Sequence, residues 1–147
     1  MPEPSQLADY PIIIQLPIQW GDMDAFRHVN NTVPFRWFES SRIAYLEQTE
    51  MERLMEHENL APILASTTCN YRRQIHYPDT VWIGARVGQL GRSSMTMEHA
   101  VVSKQQQAIV VDGTAVVVVF NYETNRPTRI PPEVRAAAER AEGKSLQ

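Results

Sequence analysis

The first hydrophobic run of the chain has the pattern of a β-strand. Residues 12–18 are mostly β-branched or apolar, and the run ends near Trp20. Such residues favour extended backbone because their side chains pack well on a pleated surface. We therefore predict a first strand here. Residues 1–9 before it are polar and rich in proline, and we expect them to be flexible.

From Val33 the pattern changes to that of a helix. At 100° per residue one set of side chains falls within an arc of about 140°, and the charged side chains lie opposite. The first set is Val33, Trp37, Phe38, Ser41, Ala44 and Tyr45, and the charged set is Arg36, Glu39 and Glu47. Pro34 falls in the first turn, where its missing N–H has no helical partner to lose. The pattern predicts an amphipathic helix that extends or breaks near Gln48.

After Pro62 the chain has the pattern of extended strands joined by short turns. The predicted strands cover residues 63–75, 81–87, 95–101 and 109–120. The last is almost wholly apolar, which is typical of a central strand covered on both faces. Asp112-Gly113 interrupts it and predicts a bulge.

The order of elements predicts the fold class. One helix cannot cover both faces of an open sheet, but a strongly twisted antiparallel sheet can wrap around it. We predict one α+β domain over residues 1–147, with a curled antiparallel sheet of about five strands around one central helix. The Ala-rich, charged segment 131–147 is predicted to be a surface helix or tail.

The amino-acid composition limits the classes of protein to which this chain can belong. The 147 residues are 43% hydrophobic, which excludes a disordered chain and suits a single core. With 14 basic and 17 acidic residues the net charge is −3, so the chain has no basic character suited to a nucleic-acid partner. The longest apolar run, residues 114–120, is too short to cross a membrane, so we expect no membrane partner.

The amino-terminal residues and the cysteine bear on location. The first residues have neither a basic start nor an apolar segment, so we expect no signal peptide and a cytoplasmic protein. Cys69 is the only cysteine, cannot form an internal disulfide, and is interpreted as a small buried side chain rather than a reactive thiol. His57 and His76 show no metal-ligand spacing with any partner, so no metal site is predicted.

The segment between the first strand and the helix carries the candidate chemistry. It places Asp22, Asp24, His28, Asn30 and Asn31 close to the start of the helix. The first helical N–H groups lack helical partners and carry the positive end of the dipole, so they can bind an oxyanion. A carboxylate nearby can attack a carbonyl or deprotonate a water. Taken singly, each residue also fits an ordinary turn or cap.

The motif in this segment resembles that of a known family. Asp22-x-Asp24-x-x-x-His28-Val-Asn-Asn31, followed by Phe38-Glu39-x-x-Arg42, is similar to the signature of hotdog-fold acyl-CoA thioesterases of the 4-hydroxybenzoyl-CoA thioesterase type. The resemblance is strong over this segment and otherwise limited to the order of elements. One difference is Pro34, where the family usually has tyrosine.

The resemblance implies a hotdog fold, a helix inside a curled sheet, and a thioesterase that needs no cofactor. It implies Asp24 as the catalytic carboxylate and the backbone near Asn31 as the polarising amide. The aspartate would act as nucleophile through a mixed anhydride or as general base for a water. His28 and Asn30 are assigned to shaping the loop or supporting it by hydrogen bonds. The substrate would be an acyl-CoA or an acyl-carrier-protein thioester.

Glu39 is a rival carboxylate because other hotdog thioesterases carry theirs on the helix. We interpret it instead as an ion-pair partner of Arg36 or Arg42, at three- or four-residue spacing. The resemblance also implies a homodimer formed through the sheets, or a homotetramer, with active sites at the subunit interface.

For the phosphates of CoA the best candidate is the predicted turn Arg92-Ser93-Ser94, which offers a cation, two hydroxyls and free amides. Arg72, Arg73 and Arg129 are second choices.

Three other functions are considered. A hotdog hydratase or dehydratase would also use an aspartate and a histidine across a loop, and Asp24-x-x-x-His28 superficially suits it. The His28-Val-Asn-Asn31 motif and the downstream Phe38-Glu39-x-x-Arg42 favour the thioesterase. A non-catalytic acyl-CoA-binding module could dispense with Asp24, so the presence of that residue argues against it. A purely structural oligomer accounts least well for the polar segment.

Overall fold

A computed structural model describes residues 2–146. The strands are β1 (Ile12–Pro17), β2 (Leu60–Thr67), β3 (Asn70–Tyr71), β4 (Thr80–Leu90), β5 (Ser94–Ser103), β6 (Ala108–Asn121) and β7 (Arg126–Pro127). The helices are α1 (Val33–Gln48), α2 (Met51–His57) and α3 (Pro132–Glu142), with short 3-10 turns at Ser5–Leu7 and Trp20–Asp22. The predicted helix start at Val33 is confirmed, and of the two outcomes left open near Gln48 the structure shows a break.

All strands belong to one antiparallel sheet. Its main path runs β1-β4-β5-β6-β2, and the short strands β3 and β7 also pair with β6. The central position predicted for the last long strand is confirmed, because β6 lies between β5 and β2. Its side chains alternate between buried and half-buried, so one face of β6 is covered more fully than the other.

The central helix α1 crosses the inner face of the sheet with a defined direction. Trp37 and Phe38, in its first half, pack in a cluster with Ile83, Val101 and Val111. Tyr45 and Leu46, in its second half, pack in another cluster, which contains Met95, Met97 and Val117. The start of α1 therefore lies over the β5–β6 hairpin end that carries Val101 and Val111. Its end lies towards the β4–β5 turn.

The single strand predicted over residues 63–75 is wrong. The chain pairs with β6 from Leu60 to Thr67, leaves the ladder, and pairs again only at Asn70 and Tyr71. The break lies where Thr68 crosses Gly113 of β6. A Cβ atom on Gly113 would lie 2.1 Å from the Thr68 carbonyl oxygen, so this approach requires glycine.

The same close approach explains why the bulge predicted at Asp112-Gly113 is wrong. The β5–β6 register is continuous there and shifts instead between Val101 and Val102, which leaves Val110 as the extra residue of β6. Glycine is needed at position 113 because two segments cross there. The sequence pattern alone does not distinguish such a crossing from a bulge.

Both ends of the described chain contribute to the core. Leu7, within the segment expected to be flexible, is fully buried and packs with Trp82, Ala100 and Val102. The carboxy-terminal helix α3 buries Val134, Ala137 and Ala138 and keeps its charged side chains outside. The predicted surface helix therefore also covers the core near the end of α1.

A buried histidine lies between α1 and the sheet. His99 of β5 is 1% exposed, its Nδ1 lies 2.8 Å from Ser41 Oγ, and its ring stacks on Phe38 at 4.9 Å between centroids. Burial, and then the positive charge of Arg42, lower the pKa of His99 to about 3. The Nε2 atom is buried and makes no hydrogen bond among residues 2–146, and the Gly84 backbone only partly offsets the lowering of the His99 pKa.

His99 should make the protein sensitive to acid. Its pKa in the unfolded chain is about 6.5, so as the pH falls below that value the unfolded state takes up a proton that the folded state excludes until about pH 3. The free energy of unfolding should fall by about 1.4 kcal/mol per pH unit between roughly pH 5.5 and pH 4 from this group alone. Urea unfolding at a series of pH values measures the slope.

The matched comparison is between His99→Gln and His57→Gln, an exposed position on α2. The first variant should lose this part of the slope, whatever its stability at neutral pH, and the second should keep it. If the free energy of unfolding falls with pH equally steeply in the wild type and in His99→Gln, the prediction is wrong.

Candidate active site

The segment after β1 folds back on itself in a tight loop. Met23 and Val29 form an isolated antiparallel bridge, and the Asp24 N–H donates to the His28 carbonyl at 2.9 Å. The Arg27 N–H donates to the Asp24 carbonyl at 3.1 Å, and Arg27 has a left-handed φ of 68°. The loop therefore brings Asp24 and His28, four residues apart in sequence, side by side.

The two aspartates have different roles. Asp22 accepts the Gln19 N–H at Oδ2 at 2.8 Å, and its carbonyl accepts the Asn30 N–H at 2.8 Å, so it holds the ends of the loop together. Asp24 accepts the Phe26 N–H at Oδ1 at 2.8 Å and is half-buried. Its Oδ2 has no hydrogen-bond partner within residues 2–146, which leaves one carboxylate oxygen for chemistry.

The start of α1 leaves one backbone donor free. Thr32 is the N-cap residue but makes no capping bond with its side chain. Instead, Asn30 Oδ1 accepts both the N–H and the hydroxyl of Thr32 at 3.0 Å, and the Asn30 carbonyl accepts the Val33 N–H at 3.0 Å. The Asn31 N–H donates to no group in the described part of the chain. It lies where the helix dipole is positive.

A pocket of about 240 Å³ borders the helix start. It is lined by His28, Val29, Asn31, Pro34, Tyr71, Arg72, Arg73, Gln74 and Ile75. The Val29 N–H donates to the Ile75 carbonyl at 2.8 Å, and the Tyr71 hydroxyl donates to the Asn31 carbonyl. The loop and the β3 segment thus form opposite walls. Asp24 is not among the residues that line the pocket.

His28 and Asn30 make contacts that hold the loop and the turn before α1. The His28 ring lies 4.9 Å from the His76 ring, nearly edge to face, and His76 Nδ1 is 3.1 Å from the Arg27 carbonyl. These contacts hold the tip of the loop against the segment after β3. Asn30 caps the turn before α1 with its side chain and does not line the pocket.

The ion pair predicted for Glu39 is wrong. Within residues 2–146 Glu39 is exposed and makes no salt bridge with Arg36 or Arg42. Arg42 is instead 8% exposed, and its Nη1 is buried without a partner in the same range. Burial lowers the pKa of Arg42, and the nearby negative charge of Glu39 opposes this. Helical spacing alone did not reveal that Arg42 turns inward while Glu39 faces solvent.

The Arg92-Ser93-Ser94 turn borders a second cavity, of about 460 Å³. Three arginines from different segments line it, Arg92, Arg129 and Arg135, without any acidic residue. Ser93 and Ser94 lie outside the lining. Their carbonyls accept the Val119 and Gly91 N–H groups at 2.8 Å, which closes the turn.

This arginine cavity and the helix start lie at opposite ends of α1 within one chain. Ser94 pairs with Val118 on β6, next to the cluster that holds the end of α1. The 16 residues of α1 correspond to about 24 Å of helix.

Comparison with known proteins connects this geometry to a family. The model of the thioesterase-like superfamily matches residues 18–138, which include the loop, α1 and the whole main path of the sheet after β1. The chain belongs to this superfamily.

Relatives of this superfamily member agree with the fold. A thioesterase from Thermus thermophilus, solved in complex with coenzyme A and Zn, is 30% identical, with a TM-score of 0.80 over 94% of this chain and 98% of its own. The long-chain acyl-CoA thioesterase FadM of Escherichia coli (strain K12) is 23% identical over 125 residues, which cover 85% of this chain and 95% of FadM.

The uncharacterized protein YsmA of Bacillus subtilis (strain 168) is 27% identical over 99 residues, or 67% of this chain and 66% of YsmA. The aligned part thus spans just under two thirds of that relative. The predicted hotdog fold is confirmed by the superfamily match and the antiparallel sheet that curls around α1.

Two site features of this thioesterase-like chain were not found from its sequence. Tyr71 faces the helix start from β3, and Arg135 joins Arg92 from α3. Tyr71 precedes the basic pair Arg72-Arg73, but nothing in the local pattern indicates that this segment borders α1. Arg129 was recognised only as a second choice for CoA.

Neither a metal cluster nor a membrane-spanning helix occurs in the described part of the chain. Within residues 2–146 no three His, Cys, Asp or Glu side chains lie together in an arrangement able to hold a metal ion. No helix in that range is long and apolar enough to span a membrane.

Proposed function

We propose that this protein hydrolyses an acyl-CoA thioester to a free acid and a thiol. The observation that carries the proposal is the free Asn31 N–H at the positive end of α1, beside a pocket and close in sequence to a carboxylate with one uncommitted oxygen. Superfamily membership supports this reaction class, and so do the names of FadM and of the Thermus thermophilus thioesterase bound to coenzyme A.

In the proposed reaction the thioester carbonyl oxygen points at the Asn31 N–H. Negative charge develops on that oxygen in the transition state, and a donor already in place stabilises it without reorganisation. His28 and Asn30 hold the loop and the cap so that donor and carboxylate keep their relative positions.

Asp24 acts in one of two ways. As nucleophile, a carboxylate oxygen bonds to the carbonyl carbon, the carbon–sulfur bond breaks, and CoA leaves as a thiolate that takes a proton from water. Water then hydrolyses the mixed anhydride. As general base, Asp24 takes a proton from water, the resulting hydroxide adds to the carbonyl carbon, and the thiol leaves with that proton. Single-turnover hydrolysis in heavy-oxygen water identifies the anhydride route when water attacks Asp24 Cγ, because the acid then carries an unlabelled Asp24 oxygen and Asp24 gains the label.

The CoA phosphates are assigned to Arg92, Ser93 and Ser94, with Arg92 extended by Arg129 and Arg135 into one cationic cavity. A cavity lined by three cations and no acid suits a ligand with several phosphates. Ser93 and Ser94 contribute by shaping the turn. An acyl-carrier-protein substrate would present a single phosphate and would use this cavity less.

The double variant Arg92→Ala, Arg129→Ala should raise KM for acyl-CoA about 10²-fold, because each charge-assisted hydrogen bond to a phosphate contributes about 1.5 kcal/mol or more. The same variant should leave KM unchanged for an acyl-pantetheine, which lacks the nucleotide. Thiol-release kinetics on both substrates measure the difference. Arg53→Ala on α2 is the matched control, since Arg53 pairs with Glu50 on the surface. Equal changes for the two substrates would contradict the assignment.

We propose that the active unit is a homodimer or homotetramer. The helix start and the arginine cavity lie at opposite ends of α1 in one chain, so a second copy in opposite orientation would bring one copy's arginines towards the other's Asp24. Mixing the Asp24→Asn chain with the double arginine variant tests this. Recovery of activity supports shared sites, and no recovery contradicts them.

The central test is thiol release from a panel of aryl- and fatty-acyl-CoAs, which includes 4-hydroxybenzoyl-CoA. The proposal expects turnover on at least one member. Hydration of an enoyl-CoA without thiol release would favour the hydratase, and binding without turnover would favour a binding module. A cytoplasmic location is part of the proposal, because a lone cysteine suits a reducing compartment, and cell fractionation checks it.

A further inference from the structure

Tyr71 connects the sheet to the residue that carries the free amide. Its hydroxyl donates to the Asn31 carbonyl, and its side chain lines the pocket at the helix start. Tyr71 lies on β3, where it pairs with Val111 of β6. It therefore reaches Asn31 from an element that is remote in sequence. The contact therefore joins two parts of the chain at the point where the proposed reaction needs a fixed geometry.

The hydrogen bonds within the loop leave the Asn31 carbonyl free to accept the Tyr71 hydroxyl. Two peptide groups flank Asn31. The preceding one is held because its carbonyl, on Asn30, accepts the Val33 N–H. The following one is held on its N–H side by Asn30 Oδ1 and on its carbonyl side by the Tyr71 hydroxyl. Without Tyr71 the peptide after Asn31 keeps only the side-chain bond at its N–H, and rotation at Asn31 becomes easier.

Tyr71 is itself held in place from both sides. Asn70 Nδ2 donates to Asp112 Oδ1 at 2.9 Å, and Arg72 Nε donates to Asp112 Oδ2 at 3.1 Å. The residues before and after Tyr71 thus clamp onto one carboxylate of β6. These two hydrogen bonds hold β3 against β6, with the Tyr71 side chain directed towards α1.

We propose that Tyr71 is a positioning residue for thioester hydrolysis. Its bond to the Asn31 carbonyl restrains the backbone torsions of Asn31, and with them the direction in which the Asn31 N–H of the preceding peptide points at the substrate carbonyl oxygen. The inference rests on the proposed function. Preorganised donors are effective because their orientation is set before charge develops, so loss of the restraint should lower kcat more than substrate binding.

The chemistry of the hydroxyl suits this role. Partial burial and the neighbouring Cys69 thiol raise the pKa of Tyr71 to about 12, so the group stays a hydrogen-bond donor through the neutral range. The same side chain cannot serve as a proton acceptor at neutral pH. The contacts of Tyr71 and its protonation state therefore both support a positioning role.

The test compares Tyr71→Phe with Tyr122→Phe, an exposed tyrosine that packs on Phe120. Tyr71→Phe should lower kcat about tenfold with KM within about twofold and an unchanged pH profile, because an acid–base group is not removed. Tyr122→Phe should match the wild type in all three. A kcat for Tyr71→Phe equal to that of the wild type would overturn the inference.

A binding measurement separates positioning from a simple wall of the pocket. Two non-hydrolysable analogues are used, a ketone in which a methylene replaces the sulfur and a thioether that lacks the carbonyl. Because only the ketone carries an oxygen for the Asn31 N–H, Tyr71→Phe should weaken the ketone about tenfold and leave the thioether unchanged. Equal weakening of both would overturn the inference in favour of a packing role.

The two failures can be told apart. If the wild type hydrolyses no thioester of the panel, the proposed function fails. If the wild type turns over normally and Tyr71→Phe behaves like Tyr122→Phe, only the present inference fails.

Discussion

Replacing Asp24 with asparagine is expected to lower kcat for acyl-CoA hydrolysis by about 10²–10⁴-fold, the range typical for loss of a general acid or base. Asparagine keeps a side-chain oxygen that can accept the Phe26 N–H, so the loop should keep its shape. It loses the negative charge and the oxygen that attacks the carbonyl or takes the proton from water. KM should change little, because the side chain does not line the pocket at the helix start. The rate of thiol release measures the effect, and circular dichroism checks the fold.

Two matched variants make the Asp24 result specific. Asp22→Ala removes the neighbouring carboxylate that accepts the Gln19 N–H, and it should alter stability more than kcat. Glu39→Gln tests the rival carboxylate on α1, which is exposed and unpaired in the described part of the chain, and it should leave kcat near the wild-type value. If Glu39→Gln abolishes turnover and Asp24→Asn does not, the catalytic assignment is wrong.

Replacing Glu142 with alanine is expected to lower the free energy of unfolding by about 2–6 kcal/mol, since it leaves two buried donors without a partner at about 1–3 kcal/mol each. Glu142 Oε2 accepts the Tyr45 hydroxyl at 2.6 Å and the Val87 N–H at 2.9 Å. Tyr45 is fully buried in the middle of the core, and burial together with its bond to Glu142 raises its pKa. One carboxylate thus ties α3 to both α1 and β4.

Urea unfolding measures this loss, with Glu133→Ala as the matched control. Glu133 lies on the exposed first turn of the same helix, and its loss should change stability by less than about 0.5 kcal/mol. Glu142→Gln keeps an acceptor oxygen and should fall between the wild type and Glu142→Ala. A Glu142→Ala variant as stable as the Glu133→Ala variant would show that α3 is only an appended tail.

The loop and the central helix were predictable because their signals are local. Hydrophobic periodicity located α1 from Val33 to its break after Gln48, and the polar residues between β1 and α1 indicated a site at the helix start. The curled sheet followed from the order of one helix and several long strands. The catalytic role of Asp24 and the roles of His28, Asn30 and Asn31 stay predictions that the kinetic variants will test.

The errors arose where distant segments meet. The crossing of Thr68 over Gly113 divides the strand predicted over residues 63–75, and it gave Gly113 the sequence pattern of a bulge. Arg42 was one of two expected ion-pair partners of Glu39, but it turns inward and is buried. In each case a contact between elements outweighed the local pattern.

The sequence by itself determined the kinds of elements, their order and the curled sheet around α1, and it indicated the segment in which we propose that chemistry occurs. These follow from side-chain period, turn residues and capping, which act over a few neighbouring positions. Only the tertiary structure decided that Tyr71 meets Asn31, that Arg135 joins Arg92, and that Glu142 reaches Tyr45. Those pairs are 40 or more residues apart, and nothing in the local spacing of a chain specifies which distant side chains its folding will bring into contact.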